Sequence, residues 1–215
     1  VSAVLAEALL RPEVYPHAVE RVRRFETHIS WVFLTGAFAY KVKKPVDFGF
    51  LDFSSLDKRR ACCEAEVLLN RRFAPTLYVD VVAVRETSDG LRIGAATGRV
   101  VDWAVRMHQF PDGAQMDERL RAGVVRPEDC AGFADYLAGV HATLPVAAVD
   151  TAYGTPAAVY APVEENFVQI AGTPFSARCA DALAELRDWS AQTHARLSPH
   201  FAARHAGGFV RECHG

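Results

Sequence analysis

Five cysteines stand in 215 residues, and none forms a C-x-x-C pair: Cys62 and Cys63 are adjacent, while Cys130, Cys179 and Cys213 are scattered. That absence excludes a zinc ribbon and a thioredoxin-type redox motif. An odd, dispersed set fits reduced thiols in the cytoplasm, mostly buried as small hydrophobes. Clustered histidines are missing too. His194, His200 and His205 are separated by six and five residues, which does not stack them on one helix face, so no metal site is expected from them. No apolar run approaches the roughly 20 residues that span a bilayer, and no basic stretch followed by an apolar run marks a signal peptide. A membrane partner is therefore not expected. A formal net charge of −2 removes the basic footprint of a nucleic-acid binder. Internal repeats are absent as well. The chain opens on Val1 and closes on Gly215, and both ends read as cuts in a longer polypeptide.

What remains is a chain that is 50% hydrophobic and 23% charged, enough for one sizeable core or for two lobes that share an interface. Its charge is uneven. Residues 1–107 carry 16 Lys+Arg against 13 Asp+Glu, a balance of +3, and residues 108–215 carry 8 against 13, a balance of −5. A basic half beside an acidic half suits a nucleotide on one side and a cationic or neutral substrate on the other.

The first half reads as a sheet. Val4, Leu5, Ala8 and Leu9 have helical spacing that Pro12 and Pro16 end. Trp31–Leu34 is strand-like, Gly36 supplies a turn, and Phe38–Lys43 alternates with period two. Phe38, Tyr40 and Val42 then share one face, and Ala39, Lys41 and Lys43 the other. Ser54 or Ser55 can cap a helix running to about Phe73, stopped by Pro75. Tyr78–Val84 and Val100–Met107 are further strands, with a turn at Ser88-Asp89-Gly90. After Phe110-Pro111-Asp112-Gly113 the pattern turns helical. Pro127 suits a first helical position, and Cys130, Phe133, Ala134, Leu137, Val140, His141 and Leu144 recur at three and four, the stripe of a core helix. His141 on that stripe reads as a structural histidine. Residues 145–161 read as a loop, Pro162 as the start of a helix through Ile170, and Ala177 to about His205 as a long helix ended by Gly207-Gly208.

Two lysines and two acids carry the chemistry. Lys41 projects from the strand on the same face as the small Ala39, which leaves room beside it. Lys43 shares that face and remains a rival. At about 100° per residue, Leu56, Cys62, Cys63, Val67, Leu69 and Phe73 define one apolar arc on the following helix. Glu66 falls inside it and Glu64 outside. An acid on a buried stripe must be paired, which makes Lys41 the natural partner of Glu66. Glu64 sits four residues after Arg60 and is expected to pair there, remaining the alternate.

Sheet first, short linker, helices after: with these residues the chain resembles the aminoglycoside phosphotransferase-like kinases. Ala39-Tyr40-Lys41 is similar to the Ala-x-Lys of the kinase third strand, whose Lys holds the nucleotide phosphates. Val105–Pro111 resembles the hinge, whose backbone groups bind adenine; Met107, His108 and Gln109 are its expected nucleotide contacts. Phe209–Gly215 resembles the start of the catalytic loop, which in that family reads His-Gly-Asp, the Asp taking the substrate proton. His214 would be the loop histidine, and the Asp, with the metal-binding Asn and Asp, would lie beyond Gly215. Thr27–Gly36, Ala39–Phe53 and Leu69–Pro75 resemble a bacterial branch that often carries a P-loop kinase-like domain after the phosphotransferase part. One departure is plain: no G-x-G-x-x-G precedes the lysine strand. Glu26–Ser30 stands there, so phosphate cover would fall to Thr27 and Ser30 hydroxyls or to backbone N–H groups.

The resemblance implies an α+β, protein-kinase-like fold: an antiparallel-sheet lobe with one inserted helix over residues 1–107 and a helical lobe, truncated before the catalytic Asp, over 108–215. It further implies an ATP-dependent phosphotransferase acting on a small-molecule hydroxyl, with ATP and Mg²⁺ as cofactors and metal ligands expected beyond residue 215. The isolated 215-residue chain would then be inactive. The alternative is a non-catalytic nucleotide-binding or regulatory module of a larger protein.

Overall fold

The computed structural model describes residues 2–213, which form two compact units, one reaching residue 140 and one spanning His141–Cys213. The division falls later than the expected lobe boundary after residue 107. The linker and the helix that follows belong with the sheet: the Tyr136 hydroxyl donates to the Phe73 carbonyl at 2.7 Å.

In the first unit the chain runs α1 (Ser2–Ala8), a 3₁₀ turn (Pro12–Val14), β1 (Arg23–Glu26), β2 (Ser30–Leu34), β3 (Phe38–Lys43), α2 (Leu56–Asn70), β4 (Tyr78–Thr87), β5 (Gly90–Ile93), β6 (Arg99–His108) and α3 (Met116–Arg121). The strands form one antiparallel sheet in the order β1-β2-β3-β6-β4-β5, with α2 inserted between β3 and β4. This is an α+β arrangement, and no strand pair among the described residues is parallel. Gly36 turns β2 into β3 at φ +92°, a conformation that favours glycine. Ser55 caps α2, its hydroxyl accepting the Lys58 amide at 3.2 Å. β1 and β5 were not foreseen.

Period two divides the sheet. One face carries Trp31, Phe33, Tyr40, Val42, Val84 and Ala104, which pack with Leu5, Leu9, Val14 and Tyr15. The other face carries Val105, against which Cys63 and Val67 of α2 pack, with Trp103 and Met107 at the margin. Lys41 and Lys43 belong to this second face, so the helix lies over the lysines. The Cys63 thiol is fully buried there, and burial pushes its pKa up to about 12. Cys130 and Cys179 are exposed, so the expectation of mostly buried cysteines holds only for Cys63.

α4 (Pro127–Thr143) is a helix as expected, but its stripe is not a core. Phe133 is 58% exposed, Cys130 and Ala134 are exposed, and Leu137 is half-buried; Leu144 alone in that stripe is buried. The second unit holds α5 (Pro156–Ala171), a 3₁₀ turn (Ser176–Arg178) and α6 (Ala180–Ala206). α5 starts at Pro156 behind the Thr155 cap, so Pro162 lies inside the helix and not at its start. Glu164 and Arg187 pair at 3.0 Å between α5 and α6, and His194 stacks on Tyr160 at 4.4 Å. The Phe209–Arg211 run docks as a short extended segment: Arg211 bridges Val146, and the Ala147 amide donates to the Val210 carbonyl at 2.9 Å. No helix among the described residues is long and apolar enough to cross a membrane.

Candidate functional site

The site begins with β3 lying under α2. Lys41 Nζ donates to Glu66 Oε1 at 2.8 Å, and Lys43 Nζ donates to Oε2 of the same carboxylate at 2.6 Å. Glu66 is the acid the apolar arc selected, and its side chain is only 10% exposed. Lys43, foreseen as a rival to Lys41, is a second partner. Both readings of the lysines are thus satisfied by one acid. Glu64 stays outside, exposed, with Arg60 Nε at 2.8 Å. Burial raises the Glu66 pKa, but Lys43 and then Lys41 outweigh it and hold the carboxyl below its ordinary range. Glu66 is therefore ionised at neutral pH, and the three groups sum to one excess positive charge.

Beyond Lys41 on the same face lies a cavity of about 550 Å³. Val32, Leu34 and Ala39 form its sheet side, while Gln109, Phe110 and Asp112 close it from the linker. The register explains the grouping: Val32 faces Lys41 and Leu34 faces Ala39 across β2 and β3. Ala39 supplies the space, since any larger side chain on that strand position would fill it. Arg23 and Asp112 pair at 2.6 Å on the cavity wall, and Arg23 holds the Asp112 carboxyl below its usual range. Phe25, Glu26, Thr27, Gln115 and Glu118 line it as well, so the wall is mixed in character, with charged and polar side chains beside the apolar ones.

The hinge residues separate. Gln109 lines the cavity, and its Oε1 accepts the Gly36 amide at 2.9 Å. Met107 stands opposite Ala39 in the register and packs into the cluster under α2. His108 sets its ring tilted against Phe38, 5.2 Å between centres, and Phe38 belongs to the sheet face opposite Ala39. The His108 and Gln109 amides already donate, to Leu77 O at 2.9 Å and Ala37 O at 3.1 Å. Those two N–H groups are therefore committed to the sheet, contrary to the expectation for a hinge. His214 lies outside the described residues.

The segment before the lysine strand also departs from expectation. Thr27–Ile29 is the tight turn joining β1 to β2, and the Thr27 hydroxyl accepts the Ile29 and Ser30 amides at 3.3 and 3.0 Å. Ser30 is fully buried. The Thr27 hydroxyl and these amides are used within the turn, although Thr27 also lines the cavity, and the buried Ser30 hydroxyl has no hydrogen-bond partner among the described residues.

Two ion pairs flanking this region are not anticipated by the sequence analysis. Arg59 Nε meets Asp102 at 2.8 Å, both side chains under 10% exposed, and Arg59 Nη1 donates to the Phe53 and Ser54 carbonyls. Burial raises the Asp102 pKa even so. Arg106 grips Asp80 through two bonds, 2.9 and 2.7 Å, across β6 and β4. The helix arc gave no sign of Arg59, because an arginine of mixed apolar and charged character carries no unambiguous periodicity signal.

Among the described residues no three His, Cys, Asp or Glu side chains come together as a metal site. No family model matches the chain, and no solved structure matches it. Over 116 residues the chain is 29% identical to an uncharacterized protein of Mycobacterium tuberculosis and to one of Mycobacterium bovis. That stretch is 54% of this chain and 22% of each relative's length, so the chain spans about a fifth of these relatives.

Proposed function

We propose that this chain is the nucleotide-binding part of a protein-kinase-like phosphotransferase that moves a phosphoryl group from ATP to a small-molecule hydroxyl. One observation carries the reading: a strand lysine paired to a nearly buried helix acid stands opposite Val32, which lines a cavity bounded by a linker. Strand alternation and the apolar arc of α2 point to the same pair, Lys41 and Glu66. The topology agrees with it, since β3 pairs directly with β6, the strand that leads into the linker.

The residues present fit a nucleotide. A cavity of about 550 Å³ is in the range of small-ligand sites, and Val32, Leu34, Ala39 and Phe110 offer apolar faces to a base. Asp112 and Glu118 at the linker end can accept ribose hydroxyls. Asp112 is paired with Arg23 on the wall, so the charge left in excess near the cavity is that of the Lys41–Lys43–Glu66 group, which would draw the phosphate tail along β3. The linker amides of His108 and Gln109 are already used, so base recognition here relies more on apolar contact than on those two donors. ATP when bound supplies the transferable phosphoryl group, and Mg²⁺ would neutralise charge on its phosphates. This chain's own part is to bind, orient and electrostatically hold the tail. The acceptor hydroxyl, the base that takes its proton and any attached P-loop kinase-like domain belong to the same proposal through the resemblance alone.

Calorimetric titration of ATP and ADP into the full-length protein tests the reading. Lys41→Met should weaken ADP binding by about tenfold or more, the loss of one charge-assisted contact. Ala39→Trp should abolish it by filling the cavity, with the fold intact by circular dichroism. Absence of nucleotide binding in the wild type, or full binding in Ala39→Trp, would refute the site. Turnover of ATP with a panel of hydroxyl compounds then separates a phosphotransferase from a binding module.

A further inference from the structure

Glu66 meets two ammonium groups whose surroundings are unequal. The Lys43 side chain is 7% exposed, and its Nζ also lies 4.8 Å from the centre of the Phe53 ring. Lys41 is 29% exposed and stands on β3 beside Ala39, the residue that walls the cavity. Drawing Lys43 away from Glu66 would strand a buried ammonium, a large penalty. Lys41 is already partly hydrated, and it can swing outward while Lys43 still holds the other carboxylate oxygen. With one lysine alone, the same movement would leave a nearly buried acid unpaired.

Resting on the phosphate role of Lys41 above, we infer that Lys43 is a positioning residue that neutralises Glu66 permanently and so frees Lys41 to carry its charge to a polyphosphate. Lys43 itself never touches the ligand. The excess positive charge of the triad sets the ligand class: a diphosphate or triphosphate group recognised by charge, whatever is attached to it. A neutral nucleoside gains nothing from the triad.

The test is calorimetric binding of tripolyphosphate, ADP and adenosine to the full-length protein and to K43M, K43R, E66Q and the K43M/E66Q double variant. K43M lets Glu66 recapture Lys41, so tripolyphosphate and ADP should each lose about tenfold in affinity, adenosine staying unchanged. K43R keeps the neutralising charge and should stay within about twofold of wild type. Removing the acid removes the need for Lys43: the double variant should bind tripolyphosphate within about twofold of E66Q alone. A structural role for Lys43 would give no such rescue. Unchanged tripolyphosphate affinity in K43M overturns the inference, and so does a double variant that falls tenfold below E66Q, because Lys43 would then contact phosphate directly. If K43M does not fold, the comparison of E66Q with the double variant still decides. Tripolyphosphate binding with this Lys43 dependence, but no adenosine or ADP binding, would sink the nucleotide reading and leave the division of labour standing. ADP binding that ignores Lys43 would do the reverse, and no tripolyphosphate binding at all overturns the inference.

Discussion

Two glutamates two positions apart on α2 have opposite fates, and the difference is one of angle on a helix. Glu66 points into the arc that packs on the sheet and meets two lysines, while Glu64 points to solvent and meets Arg60. Replacing Glu66 by Gln leaves two ammonium groups facing each other in a largely buried space and should cost about 3 kcal/mol. Replacing Glu64 by Gln removes an exposed i,i+4 pair and should cost about 0.5 kcal/mol or less. Urea unfolding of both variants checks this, and equal losses would contradict the burial argument. The pH dependence has a definite sign. Because the folded Glu66 pKa lies below its ordinary value, its stabilisation is complete above the unfolded carboxyl range and is lost as pH falls through the folded value. The advantage of wild type over Glu66→Gln should therefore shrink below about pH 4. Asp102, raised by burial, contributes a slope of opposite sign in the same acid range, so only the difference between the two proteins isolates Glu66. The sequence sufficed to choose Glu66, since helical geometry alone separates it from Glu64. It did not show that Lys43 shares the acid, because period two places both lysines on one face and says nothing of how a helix crosses them.

At the scale of elements, the strands that announce themselves are those with a buried face. β2, β3, β4 and β6 alternate or run apolar, and all were legible. β1 has one apolar residue, Phe25, among four, and β5 is four residues long; both are outer strands whose pairing is dictated by their neighbours. In α4 the period was legible but the burial was not, because spacing reports an apolar stripe and not what covers it. Pro162 suggests the start of α5, yet Thr155-Pro156 holds the stronger signal of a cap followed by a first-turn proline, and the helix begins there. A testable contact fixes the extended Phe209–Arg211 segment. Gly154 has φ +74°, and a Cβ there would lie 2.4 Å from Val210 Cγ2. Gly154→Ala must therefore pay both left-handed strain and a clash, about 2 kcal/mol together, and should release this segment. Hydrogen exchange at the Ala147 amide, which donates to Val210, should quicken in the variant. Unchanged exchange there would mean that the segment is held by something other than this contact.

For the whole molecule, the division into two units makes the proposed site local. Lys41, Glu66, Ala39 and the linker residues Gln109 to Asp112 all lie in the unit that reaches residue 140, and α5 and α6 lie in the other. A ligand stabilises the structure that forms its site, by an amount fixed by its concentration over Kd: about 2.7 kcal/mol at 100 times Kd. For amides that exchange through opening of that unit, this is a slowing of about 100-fold. The protection should be concentrated on β3, on α2 around Glu66 and on the linker, because Lys41 is tied to all three through the sheet and the ion pair. Charge makes a further distinction within the same experiment. ADP should protect both the linker and α2, whereas tripolyphosphate should protect α2 and β3 and leave residues 109–112 at their free rate. Hydrogen exchange followed by mass spectrometry on the full-length protein, with and without each ligand, reads every segment at once. Slowing confined to α5 and α6, or spread evenly over the chain, would place the ligand elsewhere and defeat the assignment of Ala39, Lys41 and Glu66 to one nucleotide site.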